Sequence, residues 1–352
     1  MKGESGVKVR KLAVLAAVLA ALPVLGGGAL QAAGRGPVEP GRIVLERQGA
    51  FAAGGTVLGD PAKSSLHCDH GYVEYQIPVK ARKTALFMWH SSSALVWQQR
   101  WDGGEGFRDI FLKRGFATYL WDGPRVGRAN WGCEEYTYKP GIGRDQGNFT
   151  AWRFGKTFGE WFPGVQFPKD DKRAYEQAMR ARYEEFDIVK NVRLEAEAGA
   201  KAIDEVGPSV VLTNSAGGLR ALLAATQSSN VKGIVAYENP GFPFPEGAGP
   251  DRPEGPFGPI RVTEEEFNRL TKIPLQFVWG DNIADSTTWP ASLKQCEQFV
   301  ELINQRGGNA KILKLTDVGL KGNTHIPFMD MNNRAVADQL SAFLKQNGLD
   351  RR

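Results

Sequence analysis

The segment Val210-Val211-Leu212-Thr213-Asn214-Ser215-Ala216-Gly217-Gly218 sets one serine between an apolar run and a run of small residues. A strand that turns sharply into a helix forces such a serine outward, the arrangement known as a nucleophile elbow. Its G-x-S-x-G pattern is incomplete, because Thr213 stands where the first glycine is expected. Small residues serve there because the tight turn brings neighbouring backbones together; threonine is larger but does not forbid the turn. A serine that merely caps a helix N-terminus is the competing reading. As a nucleophile Ser215 needs a base, normally histidine. The chain has four histidines, and only His325, in Gly322-Asn323-Thr324-His325, follows Ser215. Triads built on such an elbow run serine, acid, histidine along the chain, and His325 fits that order.

Two further segments bear on the chemistry. His90-Ser91-Ser92-Ser93 directly follows the apolar run Thr84–Trp89. The loop after that strand is where a backbone N–H of an oxyanion hole is expected, the second donor being the residue after the nucleophile, Ala216. A plain polar turn is the alternative. His67-Cys68-Asp69-His70 has the composition of a metal cluster. Four consecutive residues cannot all face one ion, and helical metal pairs are spaced i, i+3 or i, i+4, so a loop before the next strand is the expectation. Gly141-Ile142-Gly143-Arg144-Asp145-Gln146-Gly147 misses dinucleotide-loop spacing and follows no strand. No P-loop sequence is present.

The elements that must hold these residues alternate in type. Strands are expected at Tyr72–Val79, Thr84–Trp89, Ala117–Asp122, Ser209–Thr213, Gly233–Tyr237 and Pro274–Trp279, with a weaker one at Lys311–Leu315. Helices are expected at Glu105–Arg114, within Tyr175–Ile203, at Ala291–Gln305 and at Asn333–Gln346. Such alternation implies an α/β fold, a mostly parallel central sheet with helices on both faces. The Gly-, Pro- and Ala-rich stretch 34–63 reads as a lead-in with a short strand at Arg42–Glu46. Between Asn130 and Lys190 no strand is evident, while Phe149, Trp152, Phe154, Phe158, Trp161, Phe162 and Phe167 crowd together. This reads as an aromatic-rich cap inserted at about 130–190, most of its rings packing and a minority lining a pocket.

Composition excludes several classes. Of the formal charge of +5, residues 1–33 hold a net +3, from Lys2, Lys8, Arg10 and Lys11 against Glu4, which leaves +2 for the remainder. A near-neutral body is a poor phosphate-binding surface, so nucleic acid is not an expected partner. The basic start, the apolar run Leu12–Leu25 and the small residues up to Ala33 make a signal peptide over 1–33, too short in its apolar part to span a bilayer. A secreted or periplasmic chain follows, with no membrane association after cleavage and a single domain over 34–352. Export permits disulfides, and of three cysteines Cys68 and Cys133 lie in loop-like sequence and are hypothesised to pair. Cys296 sits in a helix-like run as a buried thiol.

The chain resembles a small family of secreted bacterial α/β-hydrolase esterases, whose best-known member carries a disulfide between adjacent cysteines in its oxyanion turn. The resemblance rests on YVEYQIPV (72–79), HSSS (90–93), GFRDIFLKRGFATYLWDGPRVGR (106–128), TAWRFG (150–155), LTNSAGG (212–218), GIVAYENPG (233–241) and GNTHIPFMDMNNRAVADQL (322–340). These occur in order over most of the chain beyond residue 33. The resemblance implies the α/β-hydrolase fold, a Ser–His–Glu triad of Ser215, His325 and Glu238, and oxyanion donors at Ser92 and Ala216. Ser92 and Ser93 replace the paired cysteines; the backbone donor survives that change, since any non-proline residue offers an N–H. The triad acid has a rival placement. Most α/β-hydrolases carry it after the strand read as Pro274–Trp279, which offers Asp281 and Asp285.

The expected activity is serine-dependent hydrolysis of a small-molecule carboxylic ester, with no cofactor and no metal; a homodimer is left open. An amidase or polyester depolymerase with the same triad, a non-catalytic binding protein of this fold and a transport-type binding protein are the alternatives.

Overall fold

Short runs of β-branched and aromatic residues, bounded by Gly, Pro and Asn, form the centre of the molecule. A computed structural model describes residues 41–352; the signal peptide expected over 1–33 lies outside the described residues. The strands of the central sheet are β1 (Leu45–Asp60), β2 (Ser64–Pro78), β3 (Ala85–Trp89), β4 (Thr118–Asp122), β5 (Ser209–Asn214), β6 (Val231–Tyr237), β7 (Pro274–Trp279) and β8 (Asn309–Lys314). They join one sheet in the order β1-β2-β4-β3-β5-β6-β7-β8. The pairs β1–β2 and β2–β4 are antiparallel; the others run parallel. Every residue of β3 and β5 is buried, as strands covered on both faces require.

Among the described residues, eight helices longer than one turn complete the layers: α1 (Phe107–Lys113), α2 (Arg144–Ala151), α3 (Lys172–Arg180), α4 (Val189–Val206), α5 (Gly217–Ala225), α6 (Glu264–Leu270), α7 (Trp289–Gln305) and α8 (Asn333–Gln346). Side chains alternate across the sheet with period two. Phe87, Trp89, Val211 and Phe277 pack under α4, α5, α6 and α7, through residues such as Ala196, Leu222, Phe267 and Phe299. Leu86, Met88, Leu212 and Val278 face α1, α8 and the inserted aromatics, through Phe111, Leu340 and Phe154. This is the α/β architecture expected, with a mainly parallel sheet covered on both faces. Among the described residues no helix is long and apolar enough to cross a membrane.

Three local expectations are corrected. Within the stretch read as a lead-in lies the edge strand β1, sixteen residues long, starting at Leu45 and paired along β2. Its small residues hid it: a Cβ on Gly54 would lie 2.8 Å from the backbone of Ala198 in α4, so close packing demands what local propensity argues against. His67–His70 is part of β2 and not a loop. Cys68 is joined to Cys133 by a disulfide, and Asp69 takes a two-pronged contact from Arg125, with Nε 2.8 Å from Oδ1 and Nη2 2.9 Å from Oδ2. Finally, the insertion does hold strands, a small antiparallel ribbon of Gly155–Thr157 with Glu160–Trp161. Its aromatics mostly pack: Phe154 and Phe167 are buried beside Trp101 and Phe149 is buried against Phe154, while Phe158 is 53% exposed.

Candidate active site

The site forms where β5 ends. Ser215 follows it with φ at +50°, a left-handed conformation that L-residues adopt at a cost and that turns its side chain out of the sheet. The turn is fixed by hydrogen bonds from Ser215 N–H to Tyr237 C=O at 2.9 Å and from Gly218 N–H to Ser215 C=O at 3.0 Å. No side chain caps α5, so the capping role weighed for Ser215 is not the one it plays. Thr213 is tolerated in the first glycine position because Gly217 gives way to it. A Cβ on Gly217 would lie 2.6 Å from Thr213 Oγ1 and 3.3 Å from the carbonyls of Trp89 and His90.

Ser215 and His325 line one cavity of about 450 Å³, together with Ser91, Ser92, Ala216, Trp152 and Trp289. His325 lies in the segment between β8 and α8, held by its N–H on Trp152 C=O at 2.9 Å. Its Nδ1 is 2.7 Å from Glu238 Oε2, which leaves Nε2 for exchange. Trp289, at the start of α7, covers the imidazole with ring centroids 4.3 Å apart. The segment is anchored from below by Asp330, which accepts from Thr324 N–H at 2.7 Å, Thr324 Oγ1 at 2.8 Å, Asn323 Nδ2 at 3.0 Å and Trp101 Nε1 at 3.0 Å.

Glu238 leaves the end of β6 with φ at +54° and is fully buried. Its Oε1 accepts from Gly280 N–H at 2.7 Å and from Arg153 Nη2. Burial alone would raise this carboxyl, but the Arg153 charge and the His325 hydrogen bond outweigh it and hold the group below the ordinary glutamate range. His325 is pushed down, by burial first and by the Arg153 charge as well, against the upward pull of Glu238. The two rival acids do not touch His325. Asp281 Oδ2 accepts from Gly322 N–H at 2.9 Å, bracing the histidine segment from outside. Asp285 is 47% exposed and sits 3.9 Å from Lys156 Nζ.

The loop expected to carry an oxyanion donor is tied to the elbow strand, with Ser91 N–H 3.3 Å from Asn214 Oδ1. Below it His90 is buried, its Nε2 2.7 Å from Asp122 Oδ1, so this histidine holds the loop and is not part of the pair at Ser215. Ser92 C=O accepts from Tyr183 N–H at 2.6 Å, which fixes the Ser92–Ser93 peptide. Among the described residues neither the Ser92 nor the Ala216 amide N–H has a hydrogen-bond acceptor, and both residues border the cavity. Two preorganised N–H groups beside a serine and a histidine–carboxylate pair can stabilise the anion of a tetrahedral intermediate.

Sequence reasoning missed Arg153 and Trp289. Arg153 adjoins the aromatic run and reaches the acid only through the fold, also donating from Nε to Asp281 C=O at 2.8 Å. Its guanidinium carbon stands 5.7 Å from the Trp289 ring. TAWRFG was the available signal: a charged residue among apolar ones requires a buried partner.

No family model matches the chain. The curated "Probable secreted lipase phiG" of a fungal species (strain ATCC 74256) is 26% identical over 294 residues, 71% of this chain and 78% of that protein. Among solved structures, the atomic-resolution structure of a novel bacterial esterase superposes with a TM-score of 0.71 at 22% identity, covering 90% of this chain and 99% of that one. At this level of identity the likeness establishes architecture, and with the strand order above it makes the chain an α/β-hydrolase in fold.

Proposed function

We propose that the protein is a secreted serine esterase that hydrolyses small-molecule carboxylic esters. The observation that carries this reading is the left-handed Ser215, at the strand end, sharing a cavity with an imidazole whose Nδ1 is 2.7 Å from the buried Glu238. Both similar proteins bear names of ester-hydrolysing enzymes. Export is supported by the sequence of residues 1–33, by the secreted relative and by the Cys68–Cys133 disulfide. The hydrolase domain occupies 34–352, with its cap at about 130–190.

In this mechanism Ser215 Oγ attacks the ester carbonyl while His325 Nε2 accepts its proton. Glu238 fixes the tautomer with Nδ1 protonated and stabilises the imidazolium that forms. The Ser92 and Ala216 N–H groups bind the oxyanion. His325 then protonates the leaving alcohol, and water, activated by the same base, releases the acid from Ser215. No step calls for a metal or an organic cofactor.

The test is hydrolysis of p-nitrophenyl esters by the purified protein and by Ser215→Ala. Wild-type turnover that disappears in the variant supports the reading. Folded wild-type protein inert toward every ester offered would favour a binding protein of this fold.

A further inference from the structure

The cavity beside Ser215 is lined by three arginines and two carboxylates. Arg144, Arg182 and Arg252 line it, with Glu185 and Asp187. Both acids are turned toward Arg220, buried behind the wall: Glu185 Oε1 lies 3.9 Å from its Nη1 and Asp187 Oδ1 3.5 Å from its Nη2. Glu195 Oε1 adds a third contact at 3.2 Å. Burial raises Glu185, to about 8, against the downward pull of Arg220 and Arg182 and with a further push from Glu195 and Asp187.

The arginines differ in what they hold. Arg144 Nη1 is 2.6 Å from Glu184 Oε2. Arg252 donates to Gly258 C=O at 2.9 Å and pairs with no described carboxylate. Arg182 has no hydrogen bond or ion pair with any described residue, its Nη1 is out of solvent and unpartnered, and its guanidinium rests 5.4 Å from the Trp152 ring centre. An arginine does not escape that cost by losing its proton. A guanidinium partly withdrawn from water in this way is stabilised by an anion, and its fork matches a carboxylate in two parallel hydrogen bonds.

We infer that Arg182, assisted by Arg252, forms a carboxylate-binding subsite in the cavity of Ser215, so that the preferred substrates are esters bearing a second, free carboxylate. The inference rests on the serine-esterase reading. Trp152 supplies an apolar platform under the arginine, and a cavity of about 450 Å³ admits a chain of a few carbons between the anion and the scissile ester.

The test compares two esters with the same leaving group and the same six-carbon acyl length: the mono-p-nitrophenyl ester of adipic acid and p-nitrophenyl hexanoate. For wild-type protein the ratio of kcat/KM, charged over neutral, is expected to be at least tenfold and to fall as NaCl is raised, since the contact is partly electrostatic. Arg182→Gln is expected to bring the ratio near one, and Arg182→Lys to keep part of it. A wild-type ratio of one or less overturns the subsite without any variant being needed, as does a ratio unchanged in Arg182→Gln. Failure of the underlying reading looks different: neither ester is hydrolysed in a Ser215-dependent way.

Discussion

Glu238 Oε2 and His325 Nδ1 lie 2.7 Å apart in a fully buried setting, although the acid stands at the end of β6 and not of β7. The extra reach comes from the glutamate's added methylene together with its positive φ, which turns the side chain toward the neighbouring strand. Asp281, where the acid of most α/β-hydrolases is expected, binds Gly322 N–H instead. Glu238→Gln is therefore expected to lose at least about two decades of kcat, because the wrong imidazole tautomer is favoured. Asp281→Asn and Asp285→Asn should each lose less than one decade. Steady-state kinetics of the three variants decide it; a crippled Asp281→Asn with an active Glu238→Gln would move the acid to β7.

The pH dependence follows from the depressed His325. Only neutral imidazole accepts the serine proton, so kcat/KM is expected to fall on acidification with a midpoint below roughly 6.5. Both Glu238 and His325 have folded pKa values below their unfolded ones, so the unfolded chain binds more protons and stability rises with pH. The His325 contribution is present above roughly 6.5 and is lost as pH falls toward its folded value; that of Glu238 is lost below roughly 4.3. A midpoint above 7 in the rate profile contradicts this electrostatic account.

Arg153 ties the two effects together. Its removal leaves Glu238 buried without its cation and relieves His325 of a like charge, so both groups should titrate higher. Arg153→Met is expected to move the acid limb of kcat/KM upward and to cost about 3–5 kcal/mol in denaturant unfolding, the range for breaking a buried pair. An unshifted profile in a folded variant would show that Arg153 is structural only.

Much of this site was legible because its signals are local. Ser215 announces itself through the apolar strand before it and the small residues after it, and His325 through its place in chain order. The Cys68–Cys133 pairing, hypothesised from loop-like sequence, is present although Cys68 lies in β2. Arg153, Trp289 and Arg182 were not legible. Each comes from an insertion or a remote helix end, and its role depends on distances that no sequence period encodes. Strand β1 was missed for a related reason: Gly54 is there to let α4 approach, a tertiary demand that overrides strand propensity.

The disulfide closes a separation of 65 residues, for which the chain-entropy model gives about 4 kcal/mol. Thiol titration of the denatured, unreduced protein is expected to give one reactive group, the buried Cys296. Reduction should lower unfolding stability by about that amount. Three titrating thiols would rule the bond out.

The central claim, that Ser215 is the nucleophile, is tested most directly by intact-mass analysis after treatment with a fluorophosphonate. The account predicts one adduct on folded wild-type protein, located at Ser215 by peptide mapping, lost in Ser215→Ala and slowed in Glu238→Gln. Stoichiometric labelling that persists in folded Ser215→Ala, or its absence from wild-type protein active on esters, would contradict it.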